Sequence, residues 1–273
     1  MPRELSIVKP RSRCPSCSTP IAWYDNVPLA SFLALGARCR HCHARIAWRY
    51  PIVELLTGLM TVAVLDRFGM TLVGFVYLSF VYGLIVASFV DLDFQIIPDE
   101  ISLGGLAVGL AASLVIPQLH GTDHRLVALR RSVVGAVVGG GLLYATGALG
   151  NVMLYGLRRL GIYLRRNPYW RAKFAKYRHM REAMGFGDVK LLAMAGSLLG
   201  WQLVMFTFFV APVLAVIPGL VVLALHRSHV IPYGPFLALG LLLALFAGHR
   251  IIEASAIGDT IRLLWSSYTG SAS

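Results

Sequence analysis

The chain has 273 residues, of which 57% are hydrophobic and 14% are charged, and its formal net charge is +12. Soluble proteins contain roughly 25% charged residues, so this composition excludes an ordinary soluble domain and makes a lipid bilayer the expected solvent for most of the chain. In a membrane protein an excess of Lys and Arg is typical of cytoplasmic loops. We therefore interpret the charge as a topology signal and do not expect nucleic acid as a partner.

The first 50 residues form the first predicted element, a polar unit that contains all four cysteines. They lack the apolar stretch of a cleaved signal peptide, and the apolar stretch 29–35 is too short to cross a bilayer. We expect residues 1–50 to fold as a separate cytoplasmic unit and residues 51–273 to form a membrane domain.

Two CxxC pairs, Cys14-Pro-Ser-Cys17 and Cys39-Arg-His-Cys42, lie within this unit and are separated by 21 residues. Such pairs can present four thiolates to one tetrahedral zinc ion. The alternatives are two disulfides or free buried thiols, but disulfides require an oxidising compartment. Because the charge pattern described below places the unit in the reducing cytoplasm, we favour zinc. Four thiolates leave no open coordination position, so the ion is expected to be structural.

The remainder of the chain predicts an all-α polytopic membrane protein with about seven transmembrane helices. One of the segments, 189–200, is alternatively the first part of a bent helix that continues through Gly200 and Trp201. Several segments are shorter than the roughly 20 residues that a full span requires. The seven apolar segments lie at about 52–65, 71–90, 102–117, 132–157, 189–200, 202–225 and 234–248.

A basic loop is expected at about 158–184, because nine Lys and Arg and no acid occur between 158 and 181. Such a cluster is typical of the cytoplasmic side, and alternation of the helices then places residues 1–50 on the same side. Aromatic residues alternate with the charges in this loop, which suits an element lying on anionic lipid. The alternative is a flexible loop that acts only as a topology signal.

Acidic residues occur where one apolar segment ends and the next begins, between 88 and 100. A charged side chain within a membrane segment costs about 2.5–3.5 kcal/mol on insertion scales, so Asp91, at the cytoplasmic end of its helix, is a functional candidate. Asp93 points away from the face of Asp91, and Pro98 with Asp99 begins the next helix. We interpret Asp93, Asp99 and Glu100 as a solvated connecting turn.

A second candidate is Asp188 in the stretch Gly185-Phe-Gly187-Asp188-Val-Lys190, which opens another apolar segment. The two glycines allow an irregular turn and a close approach of substrate, although the tetrapeptide alone is equally explained by an Asp N-cap. Asp91 and Asp188 lie on the same side of the predicted topology. Two neighbouring carboxylates share one proton, so that one activates a water while the other donates to a scissile carbonyl.

Taken in chain order, six stretches resemble the bacterial type IV prepilin peptidases, a branch of the GxGD aspartyl proteases. The stretches are the two CxxC pairs, Arg49-Tyr-Pro-Ile-Val-Glu54, Asp91 through Pro98-Asp99, Gly185 through Lys190, and Pro232-Tyr-Gly-Pro-Phe236. The resemblance implies that Asp91 and Asp188 are the catalytic pair. It implies further that substrate or loop support comes from Gly185, Gly187, Lys190 and Glu54.

The resemblance implies an enzyme of the bacterial inner membrane that cleaves the short basic leader of type IV prepilins or pseudopilins after a glycine, on the cytoplasmic side. Many members with the cysteine unit also methylate the new N-terminus, so S-adenosylmethionine is a candidate cofactor beside zinc. The family usually begins with a further membrane helix, and this sequence begins inside the segment that follows it.

Other interpretations of the sequence are non-enzymatic. A membrane transporter or a secretion-assembly scaffold carrying a zinc ribbon would also use paired intramembrane acids, and internal repeats would favour it, but none is evident. A zinc ribbon that binds nucleic acid would need aromatic residues among the basic ones. The aromatic residues of the cysteine unit are better explained as anchors at the membrane interface. They are Trp23, Tyr24, Trp48 and Tyr50.

Overall fold

The computed structural model describes residues 13–27, 29–164, 185–226 and 232–254. The chain forms two compact units, Met1–Ile85 and Val86–Ser273. Most of the described residues are helical, which confirms the all-α prediction.

The first unit contains the cysteine pairs, a 3-10 turn and α-helices. A 3-10 turn, Trp23–Asn26, and the short helix α1, Ala30–Ala34, lie between the cysteine pairs, and α2 covers Arg49–Phe68. Helix α2 ends at Gly69, whose φ of +69° suits a residue without a side chain. The Thr61 and Tyr82 hydroxyls, 2.8 Å apart, join α2 to the first part of α3, which covers Leu72–Phe94.

The second unit contains the end of α3 and the remaining helices. Pro98 precedes α4 (Asp99–Val115) with an extended backbone, φ −61° and ψ 134°, and this φ is the one that its ring imposes. A π-helical turn, Ala244–Gly248, joins the last two helices. The helices that follow α3 are α4 (Asp99–Val115), a 3-10 turn (Pro117–His120), α5 (Arg125–Leu164), α6 (Phe186–Leu199), α7 (Trp201–His226), α8 (Gly234–Leu243) and α9 (His249–Ala254).

Four helical stretches within the described ranges are long and apolar enough to cross a membrane. Each of the seven predicted segments overlaps a helix, but α2, α4 and α6 are not among the four. Helices α4 and α6 have only 17 and 14 residues, fewer than the roughly 20 of a full span. The count of seven spans therefore stays a prediction. The four candidate spans are Leu72–Phe94, Arg125–Met153, Trp201–Val221 and Gly234–Ile252.

Gly200 separates α6 from α7. Its φ is +81° and its ψ is 168°, a conformation that side chains disfavour. The alternative of one bent helix through Gly200 and Trp201 is therefore wrong.

Helix α5 is longer than the apolar segment that predicts it. It begins at Arg125, ahead of the predicted start at 132, and continues past Arg158 and Arg159 to Leu164. Arg is a good helix former, so the end of an apolar run marks a change of environment and not the end of a helix. The remainder of the expected basic loop, 165–184, lies outside the described residues.

The core of the second unit is built around α6, which packs against α4 and α5 through glycine. Gly135 of α5 and Gly196 of α6 lie so close that a Cβ atom on either would overlap the carbonyl oxygen of the other. Gly139 lies in the same way against the carbonyl group of Leu192, so α5 and α6 run antiparallel. On the α4 side, Gly109 leaves room for Ser197. Small residues allow this close approach, which is typical of helices packed in membranes.

A polar cluster holds the C-terminal end of α6. The carbonyl oxygen of Ser197 accepts a hydrogen bond from the Ser132 hydroxyl at 2.7 Å and lies 3.1 Å from the His120 Nε2 atom. The same Nε2 atom is 3.1 Å from the Ser113 hydroxyl, and Arg131 donates to the His120 carbonyl oxygen at 2.6 Å. The last carbonyl groups of a helix need partners from outside it, and that of Ser197 finds them in α5 and the 3-10 turn.

Candidate active site and metal centre

Each of the two CxxC pairs folds into a turn, and the two turns have the same geometry. In each, the backbone N–H of the first cysteine donates to the carbonyl group five residues later, and the residue after the second cysteine donates back to the first, at 2.8–3.0 Å. Ser18 and His43, which occupy equivalent positions, have φ values of +57° and +55°. Few residues other than glycine adopt this left-handed conformation. The repeated turn directs two sulfur atoms from each pair into one volume.

The four sulfur atoms lie within 4.8 Å of one another, and the Sγ atoms of Cys14 and Cys42 are 3.8 Å apart. A tetrahedral zinc site with Zn–S distances of about 2.3 Å places its sulfur atoms about 3.8 Å apart. All four cysteines are free thiols. The structure thus shows a four-cysteine cluster whose donor set fits zinc. Its other members are Cys17 and Cys39.

The surroundings of the cluster shift the thiol pKa values in both directions: those of Cys17 and Cys39 are lowered, whereas burial and the neighbouring thiols raise the pKa of Cys42 to about 11. The Thr19 hydroxyl, 3.3 Å from the Cys17 sulfur, and the Thr19 backbone N–H lower the pKa of Cys17 to about 6. The backbone N–H groups of Cys42 and His41 lower the pKa of Cys39 below its usual value. The thiolate is the form that binds metal, so the turns prepare two of the four ligands.

Two side-chain contacts connect the cysteine turns with the rest of the first unit. Arg40 lies between the second pair of cysteines and donates to both carboxylate oxygens of Asp25, at 2.8 and 2.6 Å, which lowers the pKa of Asp25. Glu54 in α2 accepts the backbone N–H of Leu29 at 2.9 Å. Leu29 has a φ of +56°, so Glu54 supports a strained position immediately before α1.

The second unit brings Asp91 and Asp188 together. Asp91 lies in the last turn of α3 and Asp188 in the first turn of α6, and each side chain is almost fully buried, with 6% and 8% exposure. The two carboxylates interact electrostatically. Two buried acids from separate helices therefore share one site.

Gly234 completes the site, although no role was assigned to it from the sequence. Its backbone N–H donates to the Oδ2 atom of Asp91 at 2.9 Å, and a Cβ atom on Gly234 would lie 2.7 Å from that oxygen. Its neighbour Tyr233 is within electrostatic range of Asp188. The only signal in the sequence was the stretch Pro232-Tyr-Gly-Pro-Phe236, which contributed to the resemblance.

The glycines before Asp188 act through close packing. Gly185 is extended, with φ −70°, and Gly187 is part of α6, so neither forms the irregular turn that we expected. A Cβ atom on Gly187 would lie 3.0 Å from the Cβ atom of Ile97, and one on Gly185 would lie 3.3 Å from the Oδ2 atom of Asp188. The absence of side chains lets the start of α6 approach the segment that connects α3 to α4.

Lys190 and Asp99 also meet at this end of the unit. The Nζ atom of Lys190 lies 2.7 Å from the Oδ1 atom of Asp99 and 5.1 Å from the centre of the Phe186 ring. Asp99 is thus ion-paired as well as solvent-exposed, which the interpretation as a solvated turn did not anticipate. Asp93 and Glu100 are exposed.

Comparison with known proteins assigns the chain to a family. Residues 1–68 match the bacterial peptidase A24 N-terminal domain, and residues 78–220 match the type IV leader peptidase family. The prepilin leader peptidase/N-methyltransferase of Aeromonas hydrophila is 34% identical over 249 residues, which cover 90% of this chain and 74% of that protein. The protein of the same description from Pseudomonas aeruginosa is 33% identical over 251 residues, with the same two coverages.

A third relative of that description, from Myxococcus xanthus, is 36% identical over 223 residues, which cover 82% of this chain but only 57% of the relative. This chain thus spans a little more than half the length of the Myxococcus protein. No solved structure matches the chain. The two family matches cover most of the sequence in order, and relatives match nearly all of it, so the chain belongs to the type IV leader peptidase family.

Proposed function

We propose that this chain is an aspartyl endopeptidase that removes the basic leader of type IV prepilins or pseudopilins, with Asp91 and Asp188 as its catalytic pair. The observation that carries the proposal is the burial of these two carboxylates in one site at the ends of separate helices. The names of the relatives support the substrate class. A transporter or scaffold would share the paired acids but has no support among the relatives.

The geometry divides the catalytic roles between the two acids. The Gly234 N–H stabilises negative charge on Asp91, so Asp91 is suited to take a proton from a water molecule. The water oxygen then bonds to the scissile carbonyl carbon, while Asp188, carrying the shared proton, donates it to the carbonyl oxygen. When the C–N bond breaks, the proton held by Asp91 passes to the departing amine, and the proton on the former carbonyl oxygen returns to Asp188.

The membrane topology is part of the proposal. Seven spans place Asp91 and Asp188 at the cytoplasmic face of the inner membrane, together with the cysteine unit. The basic segment 158–184 would rest on anionic lipid, because each Lys or Arg near such a surface contributes about 1 kcal/mol of attraction. The segment leads directly into Gly185. Close packing by Gly185 and Gly187 supports the start of α6, and Glu54 supports the cysteine unit.

The aspartate pair is tested by substitution with asparagine, which keeps the shape of the side chain and removes its acid–base chemistry. Asp91→Asn and Asp188→Asn should each lower the rate of prepilin cleavage in liposomes by at least about 100-fold, while membrane insertion is unchanged. Asp93→Asn, at an exposed position in the same last turn of α3, is the control and should cleave like wild type. Substantial cleavage by either of the first two variants would refute the pair.

Gly234 provides a second test of the site. In Gly234→Ala the backbone N–H remains, but the new Cβ atom, built 2.7 Å from the Asp91 oxygen, displaces the carboxylate. Since misplacement by about 1 Å can cost roughly 100-fold, we expect kcat to fall by at least tenfold with little change in KM. Gly141→Ala, at a helical position with open space around it, is the matched control. Equal kcat values for the two variants would contradict this role of Gly234.

We propose that the four cysteines hold one structural zinc ion. The sulfur spacing and the N–H donors fit such an ion, and its closed set of four thiolates leaves no position for substrate. A unit of about 50 residues is too small to fold on an apolar core alone, so the ion would supply the missing stability.

Metal analysis of the purified chain tests this site. We expect one zinc per chain, and loss of that zinc in Cys39→Ser together with a lower melting temperature. Ser16→Ala, a substitution within the first CxxC pair, should keep the metal. Zinc-free wild-type protein with each pair joined as a disulfide would contradict both the metal and the cytoplasmic placement.

We also propose that the chain methylates the new N-terminus with S-adenosylmethionine, as the names of the relatives suggest. A cavity of about 650 Å³ in the cysteine unit fits a ligand of this kind. Carboxylates and aromatic faces there suit a sulfonium cation, and Arg suits a carboxylate. Bound there, the ligand would supply the methyl group, while the chain binds and orients it. The residues concerned include Arg13, Tyr24, Asp25, Phe32, Tyr50 and Glu54.

Binding of labelled S-adenosylmethionine to the full chain in detergent tests the cavity independently of activity. Tyr24→Ala should weaken binding by about tenfold, because it removes an aromatic face from the cavity. Trp23→Ala is the matched control, since Trp23 is the adjacent aromatic residue and does not line the cavity. Wild-type protein that cleaves prepilin but binds no S-adenosylmethionine would refute the cofactor for this chain.

A further inference from the structure

The ion pair between Asp99 and Lys190 joins the two segments that carry the proposed catalytic acids. Asp99 opens α4 and follows the connection from the helix of Asp91, while Lys190 lies two residues after Asp188 in α6. The atoms in contact, Oδ1 and Nζ, are 2.7 Å apart, and the residues are 91 positions apart in the sequence. The pair therefore acts between distant parts of the chain.

A second contact lies beside the ion pair. Gly187 packs against Ile97 so closely that a Cβ atom would be 3.0 Å from the Ile97 Cβ atom. The ammonium group of Lys190 is placed between the Asp99 carboxylate and the face of the Phe186 ring. The first turn of α6 thus meets the α3–α4 connection at an apolar contact and at a charged one.

Stability alone does not account for the ion pair. The Asp99 side chain is 59% exposed and that of Lys190 is 21% exposed, and exposed pairs contribute little to the free energy of folding. Lys190 also points away from Asp188, because positions i and i+2 of a helix face different directions. It therefore does not serve as a proton donor or acceptor beside Asp188.

We infer that Asp99 and Lys190 are positioning residues that set the separation of Asp91 and Asp188 by holding the first turn of α6 against the α3–α4 connection. This inference rests on the proposed peptidase function. Acid–base catalysis depends on placement to within a fraction of an ångström. Asp91 is held by the Gly234 N–H, and the ion pair supplies a corresponding restraint for the segment of Asp188.

A charge-swap experiment tests the pair in the full chain reconstituted in liposomes, with a prepilin as substrate. Asp99→Asn and Lys190→Gln should each lower kcat by about tenfold with KM changed less than twofold. The double variant should be no slower than either single variant, since both remove the same contact. The swapped variant, Asp99→Lys with Lys190→Asp, should recover most of the lost kcat. Glu100→Gln, the neighbouring exposed acid, is the matched control and should behave like wild type.

Each other outcome has a defined meaning. Additive losses in the double variant, or no recovery in the swapped variant, would overturn the positioning role. A higher KM with unchanged kcat in Asp99→Asn would show that Asp99 contacts the basic leader directly, which also overturns it. Melting temperatures of all variants within about 2 °C of wild type are expected, and a larger fall would assign the pair to stability. Wild-type protein that cleaves no prepilin refutes the proposed function, whereas full activity of Asp99→Asn refutes only the pair.

Discussion

The contact on which the second unit depends is the one between the backbones of Gly135 and Gly196. In a bilayer, lipid tails are as apolar as the side chains, so the hydrophobic effect contributes little to helix association. Close packing of the helices stabilises the association instead. Helix α6 has only 14 residues and cannot be fixed by spanning the bilayer. Its axial position is set by glycine contacts along its length and by the hydrogen bonds of Ser197 at its C-terminal end. Asp188 lies in the first turn of α6, so these contacts also fix the depth at which Asp188 lies.

The cysteine unit, residues 1–50 of the chain, is held together by different contacts. Its sequence is polar and short, and the described part of it before α2 buries few large apolar side chains, Phe32 among them. The repeated turns compensate by bringing four sulfur atoms to one point, where under the proposed function a single ion would replace an apolar core. Its two supporting contacts, Arg40 with Asp25 and Glu54 with Leu29, are likewise polar. One chain thus combines a cysteine unit organised around four sulfur atoms and polar contacts with a second unit organised by backbone packing.

These differences explain what could be predicted from the sequence. The cysteine cluster follows from local spacing, and Asp91 and Asp188 are conspicuous because charge within apolar runs is costly. Gly234 was missed because it acts through a backbone N–H, which nearly every residue possesses, on an acid 143 positions away. Asp99 was interpreted as a solvated turn because its partner is distant in the sequence. The ends of α5 were misplaced because Arg continues a helix as readily as it ends an apolar run.

The length of α5 has a consequence for access to the aspartates. The antiparallel contact of Gly139 with Leu192 places Asp188, one turn earlier in α6, level with the region of Leu143 in α5. Helix α5 continues to Leu164, about 20 residues or roughly 30 Å farther. Most of the α5 side chains that the structure describes after Leu143 are exposed, with Leu149 and Val152 at 70% and 69%. Helix α5 therefore extends well past the level of Asp188, and under the proposed function a prepilin segment that reaches the carboxylates from that end lies beside it.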